Sequence, residues 1–223
     1  MTGHVALALA SGTFVGAHFL LSHPLRAPLV RRIGEVAFRG LYSLVALGTF
    51  GWMIWAYRAL GREASLWLAG DVLWALASVL MWFGSILFAG SLMGNPALPG
   101  ARLEYGRSPV GVFAITRHPM MWGFAIWAVV HLAIVATPKA LIMDGAILFL
   151  ALAGSVGQDA KKRKLMGARF HEWAAQTSFM PFARGLRTPG AAAVLSGTLL
   201  FFVATWAHGA LGSMPAGFWR WTG

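Results

Sequence analysis

The chain reads as all-α, a polytopic membrane bundle of six transmembrane helices, and three observations predict it. Of its 223 residues 58% are hydrophobic and 11% charged, where soluble domains carry roughly a quarter charged residues. Six stretches, 3–22, 40–60, 69–93, 119–136, 140–158 and 191–211, match or approach the about 20 apolar residues that cross about 30 Å of hydrocarbon. The basic residues gather between these stretches, and on one side of them.

The first stretch contains Ala8-Leu9-Ala10, which mimics a signal-peptide cleavage site. It lacks a basic leading segment and is read as a retained first helix. Its Gly12-x-x-x-Gly16 spacing predicts close approach of a neighbouring helix. The spans at 119–136 and 140–158 are joined only by Thr137-Pro138-Lys139, which predicts an antiparallel hairpin. No repeat or second domain interrupts residues 1–223. Between the fifth and sixth spans, Gly167, Phe170, Trp173, Phe179 and Pro181 predict a short amphipathic helix in the interface, a candidate lid.

Orientation follows from Lys and Arg. Arg26, Arg31, Arg32 and Arg39, then Arg102, Arg107 and Arg117, then Lys161, Lys162, Arg163, Lys164, Arg169, Arg184 and Arg187 fall on one side, fourteen of the eighteen basic residues. Arg58, Arg62, Lys139 and Arg220 fall on the other. Both termini are therefore expected outside the cytoplasm. The formal charge of +11 is topological, which argues against a nucleic-acid partner. The expected surroundings are a lipid bilayer, as a multi-pass protein of a bacterial inner membrane. With no cysteine, disulfides, thiolate metal sites and cysteine nucleophiles are excluded.

Among seven histidines, His4 and His208 fall towards the outer surface, His23 and His118 at the inner rim, and His171 in the basic loop. Only His18 and His131 lie well within spans, where an ionisable residue is a functional candidate by default. At 1.5 Å rise per residue they sit about 6 and about 18 Å below the inner boundary, an offset that helix tilt and side-chain reach must absorb if both bind one iron. The alternative is that each simply hydrogen-bonds a carbonyl or a serine.

Gly123, Trp127 and His131 recur at i, i+4, i+8 and share one helix side. A missing side chain, a flat ring and an imidazole suit a planar apolar cofactor such as haem, whose propionates would find Arg26, Arg31, Arg32 and Arg117 at the rim. Neutral imidazole is a good ligand for haem iron. Zinc is less favoured, because no third or fourth ligand is evident. Arg117-His118-Pro119 opens the fourth span, either as an ordinary helix start or as an anion-binding corner.

The run Arg117-His118-Pro119-x-Met121-x-Gly123-x-x-x-Trp127-x-x-x-His131 resembles the signature of the NnrU family and of its relative, zeta-carotene isomerase. Gly34-Glu35, Phe38-Arg39, Asp159 before the Lys/Arg run and the His208 region extend the likeness over nearly the whole chain. The resemblance implies haem b with His18 and His131 as iron ligands and Gly123, Trp127, Arg26, Arg117 and His118 around the cofactor. It further implies either a link to nitrite and nitric oxide metabolism in denitrifying bacteria, or cis–trans isomerisation of an apolar polyene. Ala128 stands where the isomerase has a cysteine, which puts a thiolate switch out of reach. A second resemblance, to isoprenylcysteine and phospholipid membrane methyltransferases, implies S-adenosylmethionine at His118, Gly123 and the inner basic loop. Here Asp159-Ala160 replaces the acidic pair, and Phe170 and Trp173 replace tyrosines. A third possibility is a non-catalytic maturation factor for a membrane reductase partner.

Overall fold

The computed structural model describes residues 2–94 and 108–222. Arg102 and Arg107 of the inner basic set lie outside the described residues. Within them the chain is helical with no strand: α1 Gly3–Ser22, α2 Arg26–Ala59, α3 Asp71–Ser91, α4 Val112–Ile115, α5 Pro119–Ile134, α6 Pro138–Met166, α7 Ala168–Gln176 and α8 Ala191–Ala210, then a 3-10 turn Gly217–Arg220.

Among the described residues five helices, α1, α2, α3, α6 and α8, are long and apolar enough to cross a membrane. The sixth expected span, α5, is apolar but has 16 residues, about 24 Å, short of the about 30 Å hydrocarbon thickness. Large apolar side chains point outwards: Val36 is 76% exposed, Leu44 71%, Leu195 72% and Trp206 57%. Such exposure is what lipid, not water, stabilises.

Helix ends follow local chemistry. Pro24 stops α1, since the residue before proline avoids helical backbone. Residues Arg26–Ile33 form a helical arm ahead of the expected span, joined to it through Gly34 at φ 82 and ψ 162, a conformation open to glycine. Proline at the first position starts both α5 and α6. Thr137 caps α6 by accepting the Ala140 N–H at 3.3 Å. With 29 residues, α6 is about 44 Å long and carries Lys161–Lys164 beyond the hydrocarbon as helix, not loop. Gly167, at φ 55, turns the chain into the expected amphipathic helix α7, which buries Phe170 to 1% exposure.

The chain forms two compact units. Unit 1 holds residues 1–68 and 135–150, and is built on α1 packed against α2. Phe14 of α1 meets Phe50 of α2 at 5.7 Å, and Phe19 meets Phe149 of α6 at 6.1 Å. Gly12 and Gly16, expected to admit a neighbour, have nothing within 4 Å of the position a Cβ would take.

Unit 2 holds residues 69–134 and 151–223, with α3 packed on both α5 and α8. Small residues set this packing. A Cβ on Gly197 of α8 would lie 2.4 Å from Ile86 Cα, and one on Gly84 of α3 would lie 3.1 Å from Ile126. The apolar core gathers Ile86, Leu87, Val112, Phe113, Ile115 and Ala193.

Candidate functional site

Each sequence-predicted residue has a definite environment. In unit 2, α5 presents His131 with its ring stacked on Trp127, centroids 4.1 Å apart and planes 29° inclined. His131 Nδ1–H donates to the Trp127 carbonyl at 2.8 Å. That bond fixes the tautomer and leaves the Nε2 lone pair unused by it, the arrangement that orients a metal-ligating histidine. The same bond forms at His18 in unit 1, to the Phe14 carbonyl at 2.7 Å, beneath the rings of Phe14 and Tyr42. The carbonyl bond that the alternative reading expects is therefore present at both histidines, and one nitrogen of each imidazole is satisfied by its own helix. His23, His171 and His208 bond their helices likewise, so the bond alone marks no site.

What sets His131 apart is its company. The His208 ring of α8 stands 6.2 Å from it, tilted by 33°, with Nδ1–H bonded to the Ala204 carbonyl at 2.8 Å. A separation of 6.2 Å is spanned by two ring radii and two metal–nitrogen bonds of about 2 Å each. By its place in the sequence His208 falls towards the outer surface; only the packing of α5 and α8 on α3 brings the two imidazoles together. Among the described residues no group of three or more His, Cys, Asp or Glu could hold a metal ion. Closed zinc coordination is thus unsupported, whereas haem, which supplies four nitrogens of its own, needs only imidazoles.

Gly123 departs from expectation. A Cβ there would meet the Gly84 carbonyl oxygen at 3.0 Å and Phe88 Cβ at 3.1 Å. Its missing side chain is used up by α3, so the flat cofactor face reduces to Trp127 and His131.

One rim of unit 2 is an ion cluster. Arg117 donates from Nε and Nη2 to Asp159 Oδ2, the Nε bond measuring 2.8 Å, and neutral His118 donates from Nε2 to Asp159 Oδ1 at 2.8 Å. Side-chain exposures of 15% for Arg117, 8% for Asp159 and 2% for His118 mean that little water reaches them. Burial holds the His118 imidazole below the ordinary histidine range, against the pull of the Asp159 carboxylate.

The segment before α5 is clamped to residues 178–182. Arg117 N–H donates to Ser178 O at 2.9 Å, Thr116 Oγ1 to Phe179 O at 2.6 Å, and Trp122 Nε1 to the same oxygen at 2.8 Å. Phe182, at φ 61, is held in its strained left-handed backbone by its N–H bond to Ile115 O and by stacking on Phe83. The Arg117-His118-Pro119 corner is therefore occupied by a carboxylate, and a free anion would meet that charge first. Arg26 is similarly engaged, with Nη2 2.7 Å from Glu35 Oε1 and its guanidinium over Phe38.

Fold and site together define a multi-pass helical protein with a histidine stacked on a tryptophan in a short apolar helix and a buried Arg–His–Asp cluster at one rim. The family model described as NnrU protein matches residues 6–216, and the chain belongs to that family. No curated protein and no solved structure matches the chain.

Proposed function

We propose that this chain is a haem b-binding protein of a bacterial inner membrane, with His131 as an iron ligand and His208 as the second imidazole. The single observation that carries the reading is His131 itself: Nδ1 tied to a carbonyl, ring stacked on Trp127, a second imidazole 6.2 Å away. When bound, haem would supply an iron able to exchange an electron or bind a small ligand such as nitric oxide. Trp127, stacked on the His131 ring, would hold that imidazole in an apolar setting, and the Nδ1–H bonds raise the basicity of the imidazoles. Family membership supports a role in nitrite and nitric oxide metabolism, or redox-type isomerisation of an apolar polyene. The occupied rim at Arg117 and His118 favours this over S-adenosylmethionine binding, since both residues already serve Asp159.

Visible spectra of purified protein, oxidised and then reduced, test the proposal. A Soret band is expected, with haem affinity falling by more than about tenfold in His131→Ala. His208→Ala should convert the iron from low to high spin. Wild type without haem uptake, or His131→Ala binding haem as tightly, would refute it.

A further inference from the structure

Unit 1 contains a carboxyl group that the haem reading does not use. Asp144 lies six residues into α6, about 9 Å from the helix start, in the apolar run Ala140–Leu150. It is 3% exposed, and its Oδ1 has no hydrogen-bond partner. No ion pair reaches it among the described residues. Ser11 of α1, also 3% exposed, has an equally unpartnered Oγ. That is unusual here: Ser78, Ser85, Ser155 and Ser196 each turn back to the carbonyl four residues earlier, and Ser11 does not. Counting back along each helix from the Phe19–Phe149 contact, Ser11 lies about 12 Å and Asp144 about 7.5 Å from it.

A buried carboxylate left alone is too costly to persist, so the group must take a proton or a cation. The neighbourhood supplies a route for the former. Tyr57 of α2 lies within electrostatic range of both Asp144 and Glu63. Lys139 stands over the Tyr57 ring at 4.6 Å, donates its ammonium to the Gly61 carbonyl, and donates its backbone N–H to Glu63 Oε2 at 2.9 Å. Glu63 Oε1 accepts from His4 Nε2 at 2.7 Å, and the His4 side chain is 45% exposed. With its ammonium held by Gly61 and Tyr57, Lys139 is engaged away from Asp144.

We propose that Asp144 is a proton-binding site, exchanging with solvent at the end of unit 1 where α1 begins and α2 ends, past Tyr57 and the Glu63–His4 pair. The ligand is a proton: one carboxylate becomes one carboxyl, the proton comes from and returns to solvent at His4, and nothing is oxidised or reduced. The site stands independently of haem.

Infrared difference spectroscopy of the full chain in lipid nanodiscs across a pH series tests it. Wild type should show a protonated-carboxyl stretching band that titrates and shifts in D2O. Asp144→Asn should lose it; if that variant fails to fold, Asp144→Glu should move it. Tyr57→Phe and Glu63→Gln should retain the band but slow its hydrogen–deuterium exchange. Identical spectra for wild type and Asp144→Asn, an unmoved band in Asp144→Glu, or a carboxylate band that responds to sodium chloride and not to pH would overturn the site. Unchanged exchange in both Tyr57→Phe and Glu63→Gln would overturn the route.

Discussion

Replacing Asp159 by alanine should destabilise the protein by about 3 kcal/mol, because it strands two buried partners at once. Removing one member of a buried ion pair generally costs about 3–5 kcal/mol. Three hydrogen bonds vanish, two from Arg117 and one from His118, in a site where side-chain exposures are 15%, 8% and 2%. The lower end of the range applies for two reasons. Arg117 sits at a rim from which a guanidinium can turn towards lipid headgroups, and His118 is neutral, so it loses a bond and not a charge partner. About 3 kcal/mol is roughly a hundredfold in the folding equilibrium. Reversible unfolding in mixed micelles, followed by tryptophan fluorescence, measures it. Asp159→Asn should lose less than Asp159→Ala, since an amide oxygen still accepts one bond. A double-mutant cycle with Arg117→Ala should show strong coupling. An Asp159→Ala protein within about 0.5 kcal/mol of wild type, or strict additivity with Arg117→Ala, would refute the reading of this cluster as a structural clamp.

Two further outcomes follow from the same coordinates. Gly197→Ala should cost about 1–3 kcal/mol or more, because the new methyl would lie 2.4 Å from Ile86 Cα and 2.6 Å from Ile86 N, and α3 and α8 must separate to admit it; a wild-type melting profile would contradict this. Stability should fall on acidification below the ordinary histidine value of 6.5, because buried His118 resists the proton that the unfolded chain accepts. The unfolded state then binds more protons, so stability rises with pH through that window and is lost as pH drops through it. His118→Gln should flatten the slope of unfolding free energy between about pH 7 and about pH 5, and an undiminished slope would show that other groups carry it.

Much of the architecture was legible in the sequence for one reason: lipid demands long uninterrupted apolar helices, and that demand is local in the chain. The stretches 3–22, 69–93 and 191–211 come within two residues of α1, α3 and α8. The amphipathic spacing of Phe170 and Trp173 marked α7. Asp144 was equally legible, as a lone acid in an apolar run. The second span was harder: α2 reaches back to Arg26 through a non-helical Gly34. Periodicity describes a straight helix and carries no information about a bend within one.

By itself, then, the sequence determined the membrane-spanning class, the family and which imidazoles lie deep in helices, because hydrophobicity and helical period act over neighbouring residues. Tertiary structure alone decided who meets whom. It set His208 beside His131, spent Gly123 on the Gly84 backbone, and closed Arg117 and His118 onto Asp159, forty-one residues beyond His118. These are contacts between helices far apart in the chain, selected by how small residues let α5 and α8 approach α3, and no pattern within one helix encodes them.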